Sequence, residues 1–375
     1  MAVLDAVRGL CALWVLAVHV SEMSGFYGHY TLLDRGDVAV DIFMFLSGFL
    51  MAYHYHLREE AEPWDCPKTW RRFYVRRFFR IVPLYYCALV IALVFHGEFA
   101  SGLEHIIAAF PKPLAGWFHA SPLMQAPDWP NVLSHFLFLF GFVPAYAASN
   151  ILPDWSIGLE MQFYAAFPFI MLLCRRRGYL LATAFLLGIW YLSHQLFGVY
   201  ADAPAKVFGT FPQPSFLPLK LSCFLIGILI AEAVYQRFSN PVRSMLLLLL
   251  AAAVALLTSQ DVYFCVAVYA CAAFTLIPGS PLEHTRVAAA LNRLLQRRIF
   301  SFLAETSYGT YLFHMLILAP VASLLVEHSS FASWHATARF AFLLITMLAL
   351  TYPVAFLAYR LVEQPGIRLG QRLLK

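Results

Sequence analysis

The chain has 375 residues, of which 61% are hydrophobic and 13% are charged, and its net charge is +5. Soluble proteins carry about 25% charged residues, so the composition excludes a soluble protein and indicates an integral membrane protein. The sequence has no long polar stretch that would fold as a separate soluble domain. We therefore predict one membrane domain over residues 1–375.

Cysteine usage and charge exclude further classes of protein. The seven cysteines are odd in number, lie mostly in apolar runs and show no CxxC spacing, so neither a disulfide framework nor a metal site is expected. The small positive charge does not indicate nucleic-acid binding, because the basic residues cluster where membrane topology would place them.

Apolar runs of membrane-spanning length recur along the chain. The predicted spans are 3–23, 38–57, 81–99, 155–174, 179–197, 217–235, 243–259, 262–278, 301–325 and 338–361. The shorter run 132–146 is flanked by prolines, and counting it as a span would place three arginines, 175–177, outside. The sequence thus predicts an all-α polytopic membrane protein with about ten transmembrane helices plus a short re-entrant or interfacial apolar segment.

The distribution of basic residues orients these spans. With the amino terminus inside, all but five of the 26 Lys and Arg residues lie on the cytoplasmic side, which predicts that both termini are cytoplasmic. The longest outer segment, 98–131, is rich in Pro, Trp and His. It is interpreted either as a lid over an acceptor site or as an interfacial loop anchored by tryptophans.

Two ionisable residues lie within the first apolar run, Arg8 and His19. Eleven helical steps are almost three turns, so both side chains are predicted on one helix face, about 16 Å apart. Ionisable groups in a membrane usually face a protein interior and mark a pathway or a reaction site, although a snorkelling Arg and a structurally satisfied His are the alternative. An embedded His19 suits a general base, and Glu22 lies three residues on, where it either orients the ring or faces outer water.

The inner loop before the third predicted span is rich in arginines interleaved with aromatic residues, and Arg76, Arg77 and Arg80 recur at the i, i+1, i+4 spacing of a helix surface that runs into the span. Positive-inside bias and anionic lipid headgroups explain part of this pattern. Guanidinium groups also grip phosphates bidentately, so the loop would bind a donor that carries several phosphates. The candidate phosphate-binding residues are Arg72, Arg76, Arg77 and Arg80.

The fourth span places a carboxylate, Glu160, one or two turns into the bilayer. Because an intramembrane carboxylate needs a partner, we expect Glu160 either to orient His19 or to make a structural hydrogen bond to a neighbouring helix. In the ninth span Tyr308, Tyr311 and His314 follow at i, i+3 and i+6. They either line the same cavity as His19 and Glu160 or pack near the membrane interface.

Six blocks occur in the order expected of the membrane-bound acyltransferase-3 family, which the sequence therefore resembles over nearly its whole length. The blocks are LDAVRGLCALWVLAVHV, VDIFMFLSGFLMA, RRFFRIVPLYY, WSIGLEMQFYAAFP, SYGTYLFH and YRLVEQPGIRLG. The resemblance implies a multi-pass enzyme of the bacterial inner membrane. Such an enzyme moves an acyl group, commonly acetyl from acetyl-CoA, onto a hydroxyl of a glycan or lipid-linked saccharide.

The resemblance also implies roles for individual residues. Arg8 and His19 occupy the R-x10-H positions, and Glu160 the acidic position of the WSxxxE block. The arginines before the third span occupy the basic motif. Some relatives append an esterase-like domain that is missing here, so we expect transfer without that domain, or with a polysaccharide-assembly partner or a second copy of the chain.

The mechanism expected from these residues has acetyl-CoA as the donor cosubstrate, bound from the cytoplasm, and requires no metal. His19 either acts as a general base or forms an acyl-imidazole, and the general base is preferred because an acyl-imidazole needs strict exclusion of water. Two alternatives remain: a secondary transporter or lipid translocator, and a non-catalytic member of a polysaccharide-assembly complex. Thioester consumption separates the three.

Overall fold

The structure, a computed structural model, describes residues 2–26, 32–111, 126–200, 206–276 and 285–374. Most of these residues are helical, and two short strands, β1 (Gly198–Val199) and β2 (Thr210–Phe211), form one parallel pair. The α-helices are α1 (Ala2–Met23), α2 (Gly36–Arg58), α3 (Pro67–Val94), α4 (His96–Ala109), α5 (Trp129–Phe136), α6 (Trp155–Arg177), α7 (Tyr179–Leu196), α8 (Leu217–Gln236), α9 (Pro241–Leu257), α10 (Val262–Leu276), α11 (Arg286–Leu295), α12 (Arg298–His328), α13 (Ala336–Ala358) and α14 (Gln364–Arg372).

Each of the ten predicted spans falls on a helix, which confirms the all-α membrane fold. Eight helical segments in the described residues are long and apolar enough to cross a membrane, and the shorter apolar helices α9 and α10 account for the other two. The continuous last segment, Ala336–Arg372, joins α13 to α14 through a π-helical turn, Tyr359–Glu363.

Two boundaries differ from the prediction. Helix α3 begins at Pro67, so the arginine-rich stretch is helical and continues without a break into the apolar span. Proline is well suited to this position because its missing N–H would be unpaired in the first turn anyway. The predicted outer loop 98–131 begins as a helix, α4, and its residues 112–125 lie outside the described residues.

The segment predicted as re-entrant or interfacial forms no membrane-length helix. Helix α5 has only eight residues, and the Asp128 carboxylate caps it by accepting from the backbone N–H of Asn131. Beyond it Phe138 has φ 57°, a left-handed conformation that L-residues seldom adopt, and a 3-10 turn follows at Phe140–Phe142. The chain therefore turns sharply within this apolar run.

The centre of the bundle is helix α8. It is mostly apolar, with charged residues only near its two ends, and its middle turns are buried on every side, as expected for a helix surrounded by protein. Its backbone touches that of α2: a Cβ placed on Gly48 would overlap the carbonyl of Phe224, and one on Gly227 would overlap the carbonyl of Phe45. The two glycines thus permit a helix crossing that larger residues would prevent.

Helix α1 packs along α12, and both helices run in the same direction. Arg8 contacts Ser307 near the start of both helices, and His19 stacks on His314 further along. At the opposite side of the bundle, a buried carboxylate, Glu232, joins several helix ends: it accepts from Tyr179 and lies 2.6 Å from His56. Charge compensation of this kind is required wherever a carboxylate is buried.

We expect Gly48→Ala to destabilise the protein by about 1–3 kcal/mol, because the added methyl would force α2 and α8 apart. Gly188→Ala is the matched control, since nothing lies within 4 Å of the corresponding Cβ in α7. That control should be neutral or stabilising by up to about 1 kcal/mol through helix propensity. Thermal unfolding in detergent measures both; equal midpoints for the two variants would contradict the close packing.

Candidate active site

A cavity of about 290 Å³ lies among α1, α2, α3, α6, α12 and α14. Along α2 its lining runs from Phe43 to Arg58, fifteen helical steps that correspond to about 22 Å of helix. One end is strongly basic, and the other is closed by Ser156 and Tyr311. The arginines that line it are Arg8, Arg58, Arg76, Arg77 and Arg80.

Arg8 is fixed by helix α12. Its Nε donates to the hydroxyl of Ser307 over 3.2 Å, and its Nη2 donates to the carbonyl of Ala304 over 3.2 Å. Gly9 makes this approach possible, since a Cβ there would lie 2.7 Å from Leu303. The guanidinium therefore faces the cavity with a defined orientation.

The arginines of α3 fall into different surroundings. Arg76 makes a bidentate ion pair with Glu62, with distances of 2.7 and 2.6 Å. The guanidinium of Arg77 lies 5.5 Å from the centre of the Tyr164 ring, a cation–π contact. Arg72 does not line the cavity; it lies 3.9 Å from Glu62 and its side chain is 44% exposed.

Helix geometry explains this division. Residues 73, 76, 77 and 80 of α3 recur at intervals of three and four and share the face that meets the bundle, whereas residue 72, one turn before residue 76, lies at the exposed edge of that face. In the described part of the chain, Arg77 and Arg80 make no hydrogen bond with another protein group. Both therefore keep their N–H donors for an anion in the cavity.

Carboxylates near the basic end partly balance these charges. Glu363, in the π-helical turn, is buried, and its charge interacts with those of Arg80 and Arg8. Among the described residues its Oε2 atom has no hydrogen-bond partner. Sequence reasoning missed Glu363 and also Arg58; Glu363 lies in the closing block YRLVEQPG, which marked the segment but not the residue.

The structure differs from the expected pairing of Glu160 with His19. Glu160 lines the cavity, where it accepts a hydrogen bond from Ser47 over 2.9 Å and another from Tyr164. Its carboxylate is therefore held by hydroxyls of α2 and of its own helix. This corresponds to the alternative in which Glu160 makes a hydrogen bond to a neighbouring helix, and its catalytic role remains a prediction.

His19 is held instead by Glu22, whose Oε2 lies 2.7 Å from the ring Nδ1. A carboxylate only accepts, so Nδ1 carries a proton and a neutral ring presents a lone pair at Nε2. The ring stacks on His314, with 5.2 Å between centroids and 21° between planes. The side chains of His19 and Glu22 are partly exposed, at 23% and 26%.

His314 has the same tautomer for a different reason. Its Nδ1 lies 2.7 Å from the carbonyl of Tyr311, which only accepts, so this nitrogen is the donor. The other nitrogen, Nε2, is buried and has no hydrogen-bond partner in the described part of the molecule. Two imidazoles with lone pairs at Nε2 therefore lie side by side.

The cavity does not reach His19. It ends at Ser156 and Tyr311, whose hydroxyls are 2.6 Å apart, and the tyrosine hydroxyl also donates to the carbonyl of Pro153 over 3.1 Å. The Tyr311 ring lies 6.0 Å from that of His314. The rings of Tyr311 and His314 therefore separate the cavity from His19.

Chemically, the cavity can hold an elongated ligand with several negative charges at the basic end. In the described residues no cluster of three or more His, Cys, Asp or Glu side chains has the arrangement needed to hold a metal ion. The residues suited to a phosphate-bearing cosubstrate are the cavity arginines, and His19 with Glu22 forms a base held by a carboxylate.

The family model Acyl_transf_3, described as an acyltransferase domain, matches residues 1–356. The chain is similar to acyltransferase MdmB of Streptomyces mycarofaciens, with 26% identity over 98% of this chain and 92% of that protein. It is 25% identical to nodulation protein 10 of Rhizobium leguminosarum bv. viciae, over 89% and 83% of the two chains. The chain is also similar to peptidoglycan O-acetyltransferase OatA of Listeria monocytogenes, with 24% identity over a match that covers 45% of this chain and 24% of that longer protein. No solved structure matches the chain.

The ion pair between Glu62 and Arg76 predicts a dependence of stability on pH. The hydrogen bonds from Arg76 lower the pKa of Glu62 below its ordinary value of 4.5. Because the pKa of Glu62 is lower in the folded protein, the ion pair stabilises the folded state at pH values above the ordinary pKa. This stabilisation is lost as the pH falls through the lowered pKa. We expect wild type to exceed Glu62→Gln in thermal midpoint at pH 7, and the difference to shrink below about pH 4. A difference independent of pH would contradict the pairing.

Proposed function

The chain belongs to the Acyl_transf_3 family of acyltransferases, and on that premise we propose that it moves an acetyl group from acetyl-CoA onto a hydroxyl of a carbohydrate acceptor. The observation that carries the proposal is the cavity lined by five arginines, which leads towards a histidine held by a carboxylate. His19 is the general base of this reaction. The acceptor is a glycan or a lipid-linked saccharide.

The donor would enter from the basic end. Its phosphates would bind the free donors of Arg77 and Arg80, because guanidinium groups match phosphate oxygens bidentately. Arg8 lies deeper and is already oriented by Ser307. The pantetheine arm would then extend along α2 towards Ser156, where the cavity ends. This places the thioester far from the phosphates, as the chemistry requires.

In the transfer step, His19 Nε2 would take the proton of the acceptor hydroxyl while the oxygen of that hydroxyl attacks the thioester carbonyl. The carbon–sulfur bond then breaks, CoA leaves as the thiolate, and the proton returns from the imidazolium to the sulfur. Glu22 stabilises the imidazolium and holds the ring in the tautomer that exposes Nε2. Every proton and electron pair is accounted for without a metal or an acyl-enzyme.

Access to His19 differs for the two substrates. The partly exposed side of His19 and Glu22 would receive the acceptor, whereas the thioester would arrive from the cavity. Because Tyr311 closes the cavity, its side chain would have to swing away from Ser156 before the two substrates meet. Such a closed boundary would also keep water from the thioester until an acceptor is bound.

Orientation and acceptor class complete the proposal. Both termini and the basic end would face the cytoplasm of a bacterial cell, where acetyl-CoA is made, and the chain would lie in the inner membrane. OatA is named for O-acetylation of peptidoglycan, which supports a glycan acceptor here. The donor would then be cytoplasmic, and the acceptor would reach His19 from the opposite side.

A secondary transporter would also bury arginines and carboxylates around a central cavity. It would move its substrate without consuming a thioester. Membrane vesicles supplied with acetyl-CoA and a glycan acceptor separate the two functions: release of free CoA that depends on the acceptor supports the transferase, and substrate flux without CoA release supports the transporter.

Removing the base should abolish transfer. We expect His19→Ala to lower kcat by at least about 100-fold, and Glu22→Gln by about 10- to 100-fold, because the ring loses the group that fixes its tautomer. Glu160→Gln is the contrasting variant and should change KM for acetyl-CoA more than kcat. Steady-state CoA release measures all three, with thermal midpoints as the folding control. A larger loss of kcat in Glu160→Gln than in Glu22→Gln would restore the pairing of Glu160 with His19.

The cavity arginines should govern donor affinity. We expect Arg77→Ala and Arg80→Ala each to raise KM for acetyl-CoA by roughly 10- to 100-fold, the loss of one charge-assisted contact to phosphate. Arg72→Ala is the matched control on the same helix and should change KM by less than about threefold, because exposed charges contribute little. Equal effects of all three substitutions would indicate general electrostatic attraction instead of a defined phosphate site.

A further inference from the structure

A second, wider cavity of about 510 Å³ opens beside the basic end, at the junction of α2, α3 and α6. Its walls combine aromatic side chains with two prolines and a leucine, and carry one acidic and one basic side chain, Asp65 and Arg176. We call it the tryptophan pocket. The aromatic side chains that line it are Tyr55, Trp64 and Trp70.

A small void of about 20 Å³ lies between the tryptophan pocket and the arginine-lined cavity, and we call it the waist. This waist shares Tyr55 and Trp64 with the tryptophan pocket. It shares His54, Arg58, Arg76 and Arg77 with the arginine-lined cavity. Glu62 also lines the waist, so its ion pair with Arg76 lies where the two larger cavities meet.

We propose that the tryptophan pocket binds the purine base of the acyl donor, an inference that rests on the function proposed above. Acetyl-CoA carries, in order, a flat purine, a cluster of phosphates, a flexible arm and a thioester. The cavities present the matching order: aromatic walls, then arginines, then a long narrow channel that ends at Ser156 and Tyr311. The proposal rests on this match between the order of chemical groups along acetyl-CoA and the order of side chains along the cavities.

The aromatic walls are built to receive a flat ring. Trp64 stacks on Tyr55, with 5.0 Å between centroids and 20° between planes. Trp70 meets Trp64 edge to face at 6.1 Å, and its indole N–H donates to the carbonyl of Trp64 over 2.8 Å. This hydrogen bond fixes the orientation of Trp70. A rigid aromatic surface of this kind stacks purines with little loss of side-chain entropy.

The two charged residues of the pocket suit a purine that carries an exocyclic amine. The Asp65 carboxylate only accepts hydrogen bonds and would receive the amine N–H, while the Arg176 guanidinium only donates and would meet a ring nitrogen. At the waist, a phosphate of the donor would replace the Glu62 carboxylate on Arg76. The ion pair thus holds the arginine in place until the donor arrives.

Tryptophans near a membrane surface commonly serve as interfacial anchors. Trp64 differs from such an anchor, because its ring packs edge to face on Phe73 at 5.4 Å and lines both the tryptophan pocket and the waist. A side chain enclosed by other aromatic rings has little surface left for lipid. The arrangement therefore favours a binding wall over an anchor.

The experiment compares two ligands that differ only in the nucleotide. Purified protein in detergent is titrated with CoA and with 4′-phosphopantetheine, and acetylated forms of both are used for turnover. We expect wild type to bind CoA more tightly, and Trp70→Ala to weaken CoA binding by roughly tenfold while leaving 4′-phosphopantetheine unchanged. Trp70→Phe, which keeps a stacking surface, should recover most of the affinity.

Trp190→Ala is the control, because Trp190 lies on α7 and its ring contacts His194 away from the tryptophan pocket. It should bind both ligands as wild type does. Equal weakening of both ligands by Trp70→Ala, or no preference of wild type for CoA, would overturn the purine site. A preference for CoA that depends on Trp70, without any acetyl transfer, would instead overturn the proposed function and leave the purine site in place.

Discussion

The burial of positive charge around one cavity is the constraint on which the rest of this structure depends. Five guanidinium groups line the cavity, and three carboxylates, Glu62, Glu160 and Glu363, lie among them. A charge taken out of water costs several kcal/mol unless it is compensated, so an excess of positive charge favours an anionic ligand. The helix packing makes this arrangement possible, because close contacts at Gly9 and Gly48 hold α1 against α12 and α2 against α8, and α1, α2 and α12 line the cavity.

A buried polar network stabilises the closed end of the cavity, and the sequence alone did not predict this network. The Asp154 carboxylate, at the start of α6, accepts from Tyr85 and Asn150 over 3.0 Å each and lies 3.0 Å from His135. His135 in turn lies 3.0 Å from the hydroxyl of Ser149. This serine, histidine and aspartate resemble a nucleophilic triad in spacing, but all three are buried and none lines a described cavity. Their contacts instead fix the first turn of α6, which presents Ser156 to Tyr311.

Periodicity and hydropathy predicted the helices, the shared face of Arg8 and His19, and the basic surface of α3, because each depends on spacing within one segment. The partner of His19 was harder to predict. Depth in the bilayer placed Glu160 near His19, but depth is a single coordinate, and the direction in which a side chain points depends on how its helix packs. Glu22, three residues from His19, needed only local geometry. Arg58 lines the cavity and Glu363 lies near its arginines, both from helix ends distant in sequence, and nothing within their own segments indicates the position of the cavity.

Tyr311 and His314 form the boundary between the arginine-lined cavity and His19, and their positions on α12 link the two sides of that boundary. Both side chains come from one helical turn of α12, and the carbonyl of Tyr311 fixes the tautomer of His314. Any movement of Tyr311 away from Ser156 that involves the backbone therefore also shifts the imidazole that stacks on His19. Under the proposed function, opening of the arginine-lined cavity and the placement of His19 would in this way be coupled through a single turn. A thioester would become reactive only when His19 is correctly placed, which is the condition for transfer to a hydroxyl in preference to hydrolysis.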